Sequence, residues 1–229
     1  MRLIIAILFI VLCVNVSTAQ QRTKQERKYN YQLYLPKNYN TDSLKGKEWP
    51  LIIYLHGRSI RGNNLEKLNR YGLPNLVAKG MNFPFIIASP QCPGDRNWDT
   101  DNWFTPMFSE LKTKYRIDPH RIYLTGMSMG GCGVWSLAMD FPNMFAALIP
   151  LCGGGNPKGA DKIKNIPVWA FHGTLDHVVP MGQTEQMVNA LEKINGKVKF
   201  TKVRGVGHGL QKVYEDFSIY DWLLHHVKH

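Results

Sequence analysis

Three side chains of this 229-residue chain have the types and the order to do chemistry together: Ser128, Asp176 and His208. Ser128 lies in Gly126-Met-Ser-Met-Gly130, directly after the alternating run Ile122-Tyr-Leu-Thr125. A serine so placed sits on a tight turn between a strand and a helix, where glycines let neighbouring backbone come close. Its hydroxyl is a weak nucleophile and needs a base, which in turn needs an orienting acid. His208, in Gly205-Val-Gly-His-Gly209, is the expected base, and Asp176, in His172-Gly-Thr-Leu-Asp-His-Val-Val-Pro180, the expected acid. Each follows a strand pattern, as Ser128 does. His172, at a strand end, is read as shaping the turn, and His177 adjoins Asp176 too closely to bridge it to Ser128. Asp161 and Asp216 are alternative acids, but neither follows a buried strand. The implied chemistry is acyl transfer through a serine.

Acyl transfer also needs hydrogen-bond donors for the oxyanion. One expected donor is the backbone N–H of Met129, at the start of the helix that follows Ser128. The second is the backbone N–H of Arg58, after Leu55-His56-Gly57, where Gly57 permits a close approach to substrate.

The elements that must hold these residues are legible as alternating strands and helices. Pro50–Leu55, Phe85–Ser89, Phe145–Leu151 and Val168–His172 are continuous apolar runs of the kind buried on both faces of a parallel sheet. Tyr29–Pro36 alternates like an edge strand, and Val198–Val203 reads as the last strand. Helical spacing is found over Asn64–Lys79 (interrupted at Pro74), Phe108–Tyr115, Thr184–Ile194 and, as a closing amphipathic helix, Leu210–Val227. Asp118-Pro119 should break the chain before the strand leading to Ser128. This alternation predicts an α/β fold with a mostly parallel central sheet flanked by helices, and sites at the carboxyl ends of its strands. Only a short segment joins the strands near Leu151 and Ile166, too short for a large cap domain.

Composition narrows the class. Met1-Arg2, the apolar run Leu3–Val14 and Ser17-Thr-Ala19 read as a secretory signal peptide over residues 1–19, with a single α/β domain over 20–229. Export to the periplasm or the exterior is expected, without stable membrane insertion once the signal is removed. The formal charge of +11 falls to +10 without Arg2, and the bases are scattered, with no nucleic-acid motif. Of the four cysteines, Cys13 belongs to the signal; Cys92, Cys132 and Cys152 lack metal-ligand spacing and read as small buried hydrophobes. No metal or cofactor is implied, since neither an H-E-x-x-H nor a paired-cysteine pattern is present.

Leu55-His-Gly57, Gly126-Met-Ser-Met-Gly-Gly131, His172-Gly-x-x-Asp176 and Gly207-His208 together resemble the α/β-hydrolase superfamily, in its order Ser…Asp…His. More narrowly, the chain is similar to secreted single-domain esterases of the polyhydroxybutyrate depolymerase, feruloyl and acetylxylan esterase type, a group that merges with prolyl-oligopeptidase-like peptidases. The resemblance covers the mature chain and is specific for fold and triad rather than for substrate. It departs at Arg58 and Ser59, where related esterases often carry small residues. It implies a serine carboxylesterase acting on small-molecule or polysaccharide esters, with acetyl or feruloyl groups favoured. Trp98, Trp103, Arg58 and Arg61 are the expected substrate contacts: the two indoles could stack on a sugar or aromatic ring, and the arginines could read a carboxylate. A serine peptidase and a non-catalytic glycan-binding protein are the alternatives.

Overall fold

The structure, a computed structural model, describes residues 24–228; the expected signal peptide lies outside them. Seven strands form one sheet: β1 (Tyr31–Tyr34), β2 (Trp49–Leu55), β3 (Ile86–Pro90), β4 (Ile117–Met127), β5 (Ala147–Leu151), β6 (Val168–Gly173) and β7 (Val198–Val203). Their order is β1-β3-β2-β4-β5-β6-β7, parallel throughout except for the antiparallel edge pair β1–β3.

The helices are α1 (Gly72–Ala78), α2 (Phe104–Lys114), α3 (Met129–Asp140), α4 (Gly182–Lys193) and α5 (Ser218–Leu224). Alternate residues of the buried strands serve opposite faces. Leu51, Ile53 and Leu55 pack into a cluster with residues of α2, α3 and α4. Ile52 and Tyr54 point the other way, toward α1 and α5. That two-sided burial is why β2 is apolar at every position rather than alternating. The segment between β5 and β6, residues 152–167, carries one short 3-10 helix, Pro157–Ile163. Among the described residues no helix is long and apolar enough to cross a membrane.

Several boundaries differ from expectation: α2 begins at Phe104 and not Phe108, β5 at Ala147 and not Phe145, and three further differences have local reasons. The helix expected over 64–79 is a 3-10 helix, Leu65–Arg70, followed by α1. The break falls at extended Tyr71 and at Gly72 (φ +66°), not at Pro74, which sits in the first turn of α1 where a missing N–H costs little. Asp118-Pro119 does not break β4 but lies in a bulge: Trp49 pairs with Ile117 and Leu51 with Ile122, so two steps on β2 face five on β4. The closing helix is divided into Gln211–Glu215 and α5, because Asp216 turns extended and its carboxylate accepts the Ser218 N–H at 2.9 Å, starting the helix afresh.

Candidate active site

Ser128 stands between the end of β4 and the start of α3 with φ 61° and ψ −121°, a strained conformation for any residue other than glycine. Its N–H is held by the Leu151 carbonyl of the neighbouring strand at 2.9 Å. The turn is tight enough that a Cβ on Gly130 would lie 1.9 Å from the Leu55 carbonyl oxygen, which explains the glycine there.

The loops after β6 and β7 bring the other two residues to Ser128. They run in contact: a Cβ on Gly173 would lie 2.3 Å from the Val206 carbonyl oxygen. His208 Nε2 is 2.8 Å from Ser128 Oγ, and His208 Nδ1 is 2.8 Å from Asp176 Oδ2. The Asp176 side chain is wholly buried, and its Oδ1 accepts the backbone N–H groups of Val178 and Val179, each at 2.9 Å. Burial alone would raise the Asp176 carboxyl; the His208 hydrogen bond and the two backbone donors outweigh it and hold the group below its ordinary range. The Asp176 carboxylate is therefore ionised and fixed in direction, with Oδ2 turned to the His208 ring.

The competing residues are placed elsewhere. His177 is exposed, and Asp161 is exposed on the 3-10 helix between β5 and β6. Asp216 caps α5. His172 is fully buried behind Asp176.

Arg58 opens a 3-10 helix, Arg58–Ile60, just as Met129 opens α3. Both amides are therefore first-turn donors without an intrahelical acceptor. The preceding Gly57 adjoins the serine, since a Cβ built on it would be 3.6 Å from Ser128 Cβ. The loop is pinned by His56, whose Nδ1 donates to the Gly57 carbonyl at 2.7 Å while Nε2 accepts the Cys92 N–H at 3.0 Å. Both bonds require a neutral ring, and burial lowers its pKa to about 4.

The expected substrate contacts are redistributed. Trp103 is not at the site: it is fully buried, stacked on Tyr29 with centroids 5.9 Å apart, and donates to the Trp98 carbonyl at 2.9 Å. Its apolar area is spent in the core. Trp98 does line the cavity beside Ser128 but is only 3% exposed, and its indole N–H holds the His56 carbonyl at 3.0 Å. It braces the Arg58 loop instead of offering a free stacking face. Arg61 is also turned away, donating to the Arg96 carbonyl at 2.9 Å. Arg58 alone of the expected arginines lines the cavity.

That cavity, about 530 Å³, opens directly over Ser128 and is walled by Asn97, Asp99, Cys132, Ser136 and Val179 among others. A second depression of about 820 Å³ shares Asp99, Cys132 and Ser136 with it and continues along α3 toward Gln183 and Gln186. Cys132, expected as a buried hydrophobe like Cys92 and Cys152, is instead half-buried in the cavity wall, and Ser136 was not anticipated; the two follow Ser128 at intervals of four on one face of α3, a spacing that would have placed them. Among the described residues, ligand-type atoms of Cys152, Asp176 and His208 lie within 4.8 Å of one another. Asp176 and His208 are committed to the hydrogen bonds above, and burial pushes the Cys152 thiol up to about 12, so this group does not offer three free metal ligands.

A largely parallel sheet carrying a serine at a strand–helix elbow, with His and Asp on later strand ends, defines an α/β-hydrolase. Residues 100–221 match the dienelactone hydrolase family, and the chain belongs to that family. Over 160 residues it is 30% identical to a bifunctional acetylxylan esterase/xylanase of Neocallimastix patriciarum, covering 67% of this chain and 22% of that protein. It is 28% identical over 121 residues to poly(3-hydroxyalkanoate) depolymerase C of Paucimonas lemoignei, covering 46% of this chain and 28% of the relative. The chain thus spans under a third of the length of either. A thermostable esterase of known structure superposes with a TM-score of 0.70 at 31% identity, over 86% of this chain and 59% of the other.

Proposed function

We propose that this member of an esterase family is a serine carboxylesterase. The observation that carries the reading is the unbroken hydrogen-bond chain from Ser128 Oγ through His208 to buried Asp176. In this mechanism His208 Nε2 takes the proton as Ser128 Oγ attacks the ester carbonyl. The N–H groups of Met129 and Arg58 receive the oxyanion, each worth roughly a hundredfold or more in rate. His208 then returns its proton to the departing alcohol, leaving an acyl-enzyme on Ser128. Water, deprotonated by the same imidazole, repeats the addition and releases the acid.

For the substrate we favour acetyl or feruloyl esters on a polysaccharide. Two observations support a polymeric alcohol: the open cavity over Ser128 and its continuation into the depression along α3. The similarity to an acetylxylan esterase/xylanase points the same way. Export, directed by residues 1–19, would bring the enzyme to such a polymer.

The test is turnover of p-nitrophenyl acetate, methyl ferulate, acetylated xylan and a chromogenic peptide by wild type and Ser128→Ala. Ester hydrolysis lost in the variant supports the proposal, with preference for acetylated xylan or ferulate settling the acyl group. Peptide cleavage without ester turnover would overturn it in favour of a peptidase.

A further inference from the structure

The depression that continues the catalytic cavity is built on a stretch with no side chains. After β5 the chain passes through Gly153-Gly-Gly155, and Gly154 and Gly155 line the hollow between α3 and α4. A Cβ on Gly154 would lie 2.7 Å from the Gln183 Cβ, so the Gln183 side chain rests directly on glycine backbone at the edge of the hollow. Asp99, Cys132 and Ser136 line both the cavity and the depression. A substrate held at Ser128 therefore has one continuous path past Ser136 toward α4.

The lining has a definite chemical character. It presents a carboxylate (Asp99), a hydroxyl (Ser136), the carboxamides of Asn156, Gln183 and Gln186, and an ammonium (Lys162). Among the described residues, the side chains of Asp99, Ser136, Lys162, Gln183 and Gln186 make no hydrogen bond or ion pair, so their donors and acceptors are open to a ligand. Among the described residues that line it there is no aromatic ring, and Met139 is the one long apolar side chain. Charge is balanced: Asp140 is paired with Lys24 at 2.6 Å, which leaves Asp99 against Lys162.

From this lining we infer that the depression binds an uncharged, hydroxyl-rich chain, a neutral glycan, and that Gln183 and Gln186 select it. The inference rests on the serine esterase reading and deepens it. The acyl group occupies the cavity over Ser128, and the sugar chain that carries it crosses Ser136 into the depression. Gln183 and Gln186 are three apart on α4, so their carboxamides project from one side of the helix. Each carboxamide both donates and accepts, and can exchange water for a sugar hydroxyl acting in either sense.

Other polymers fit this lining less well. A polyester chain has no hydroxyl donors along its length, so it would cover the Asp99 carboxylate without replacing its water, and its hydrocarbon would find only Met139. An acidic glycan would set its carboxylates beside Asp99 with Lys162 alone to offset them.

The test compares wild type with the double variant Gln183→Ala/Gln186→Ala on acetylated xylo-oligosaccharides of increasing length, hydroxybutyrate oligomers and p-nitrophenyl acetate. Both positions are exposed on α4, where alanine favours the helix, so the fold should be kept. Wild-type kcat/KM should rise with glycan length. The double variant should lose roughly tenfold of its preference for the longer glycan over p-nitrophenyl acetate, mainly through KM, the effect of two lost hydrogen bonds. An unchanged preference in the double variant overturns the inference, as does wild-type preference for hydroxybutyrate oligomers over the glycan. Binding is read apart from turnover by titrating an unsubstituted xylo-oligosaccharide into nitrogen-15-labelled Ser128→Ala. Shifts should gather on the Gln183 and Gln186 carboxamides and the Gly154 and Gly155 amides; shifts elsewhere, or none, overturn the inference. Because that titration needs no catalysis, failure of the esterase reading, seen as retained turnover in Ser128→Ala or as no ester turnover in wild type, is a separate result.

Discussion

Acidification should weaken this fold through His56 before most carboxylates titrate. The ring is 1% exposed, donates from Nδ1 to Gly57 and accepts at Nε2 from the Cys92 N–H, so the folded state holds it neutral. Burial lowers its pKa from 6.5 to about 4, with the Gly57 hydrogen bond working in the opposite direction. Between those two values the unfolded chain binds a proton that the folded chain refuses. Stability from this group is therefore fully present above about pH 6.5 and is lost as pH falls toward 4, with no further loss below. At 1.36 kcal/mol per tenfold, the interval amounts to about 3 kcal/mol, a large share of a typical folding free energy. The assay is urea unfolding followed by tryptophan fluorescence from pH 7.5 to pH 4, for wild type and His56→Gln. Carboxylates that titrate in this range are common to both proteins and cancel in the difference. The stability advantage of wild type should shrink by about 3 kcal/mol across the range. A difference that stays constant with pH would refute the reasoning, because it would mean that the folded state accepts a charged His56.

The two tryptophans should separate. Trp98→Phe removes the indole bond to the His56 carbonyl and should lower kcat on small esters with little change in KM, whereas Trp103→Phe should lower the melting temperature with kinetics largely preserved. Gly130→Ala places a Cβ against the Leu55 carbonyl and should destabilise by about 3 kcal/mol or more in denaturant titration, while Gly46→Ala, with nothing within 4 Å, should be near neutral. Cys92, Cys132 and Cys152 are free thiols, so a reductant should leave the melting temperature unchanged.

The grouping of Ser128, His208 and Asp176 was legible because each sits beside a recognisable strand end, and the parallel order of those strands brings their carboxyl ends together. The arrangement β2-β4-β5-β6-β7 places the Arg58 loop, the serine and the two later loops along one edge of the sheet. What spacing could not supply was the direction of side chains in the loop after β3. Trp98 and Trp103 have the composition of a sugar platform, but a tryptophan also fills cores, and here Tyr29 and the backbone of the same loop claim Trp103. Arg61 was equally ambiguous, since a guanidinium serves a loop carbonyl as readily as a substrate carboxylate. His172 could be read only as a turn residue, because its partner Thr184 lies in the first turn of the next helix and meets it only once α4 packs against the end of β6. Helix boundaries at Gly72 and Asp216 shifted for a similar reason: Tyr54 behind Gly72 and the Asp216 cap are visible only once the chain is folded.

The central claim is that Ser128 is the nucleophile, and labelling tests it most directly. Wild type treated with a fluorophosphonate near neutral pH should gain one adduct by intact mass, mapped by peptide analysis to Ser128. The same treatment should leave Ser128→Ala and His208→Ala essentially unmodified. An adduct on another residue, or undiminished labelling in Ser128→Ala, would contradict the account.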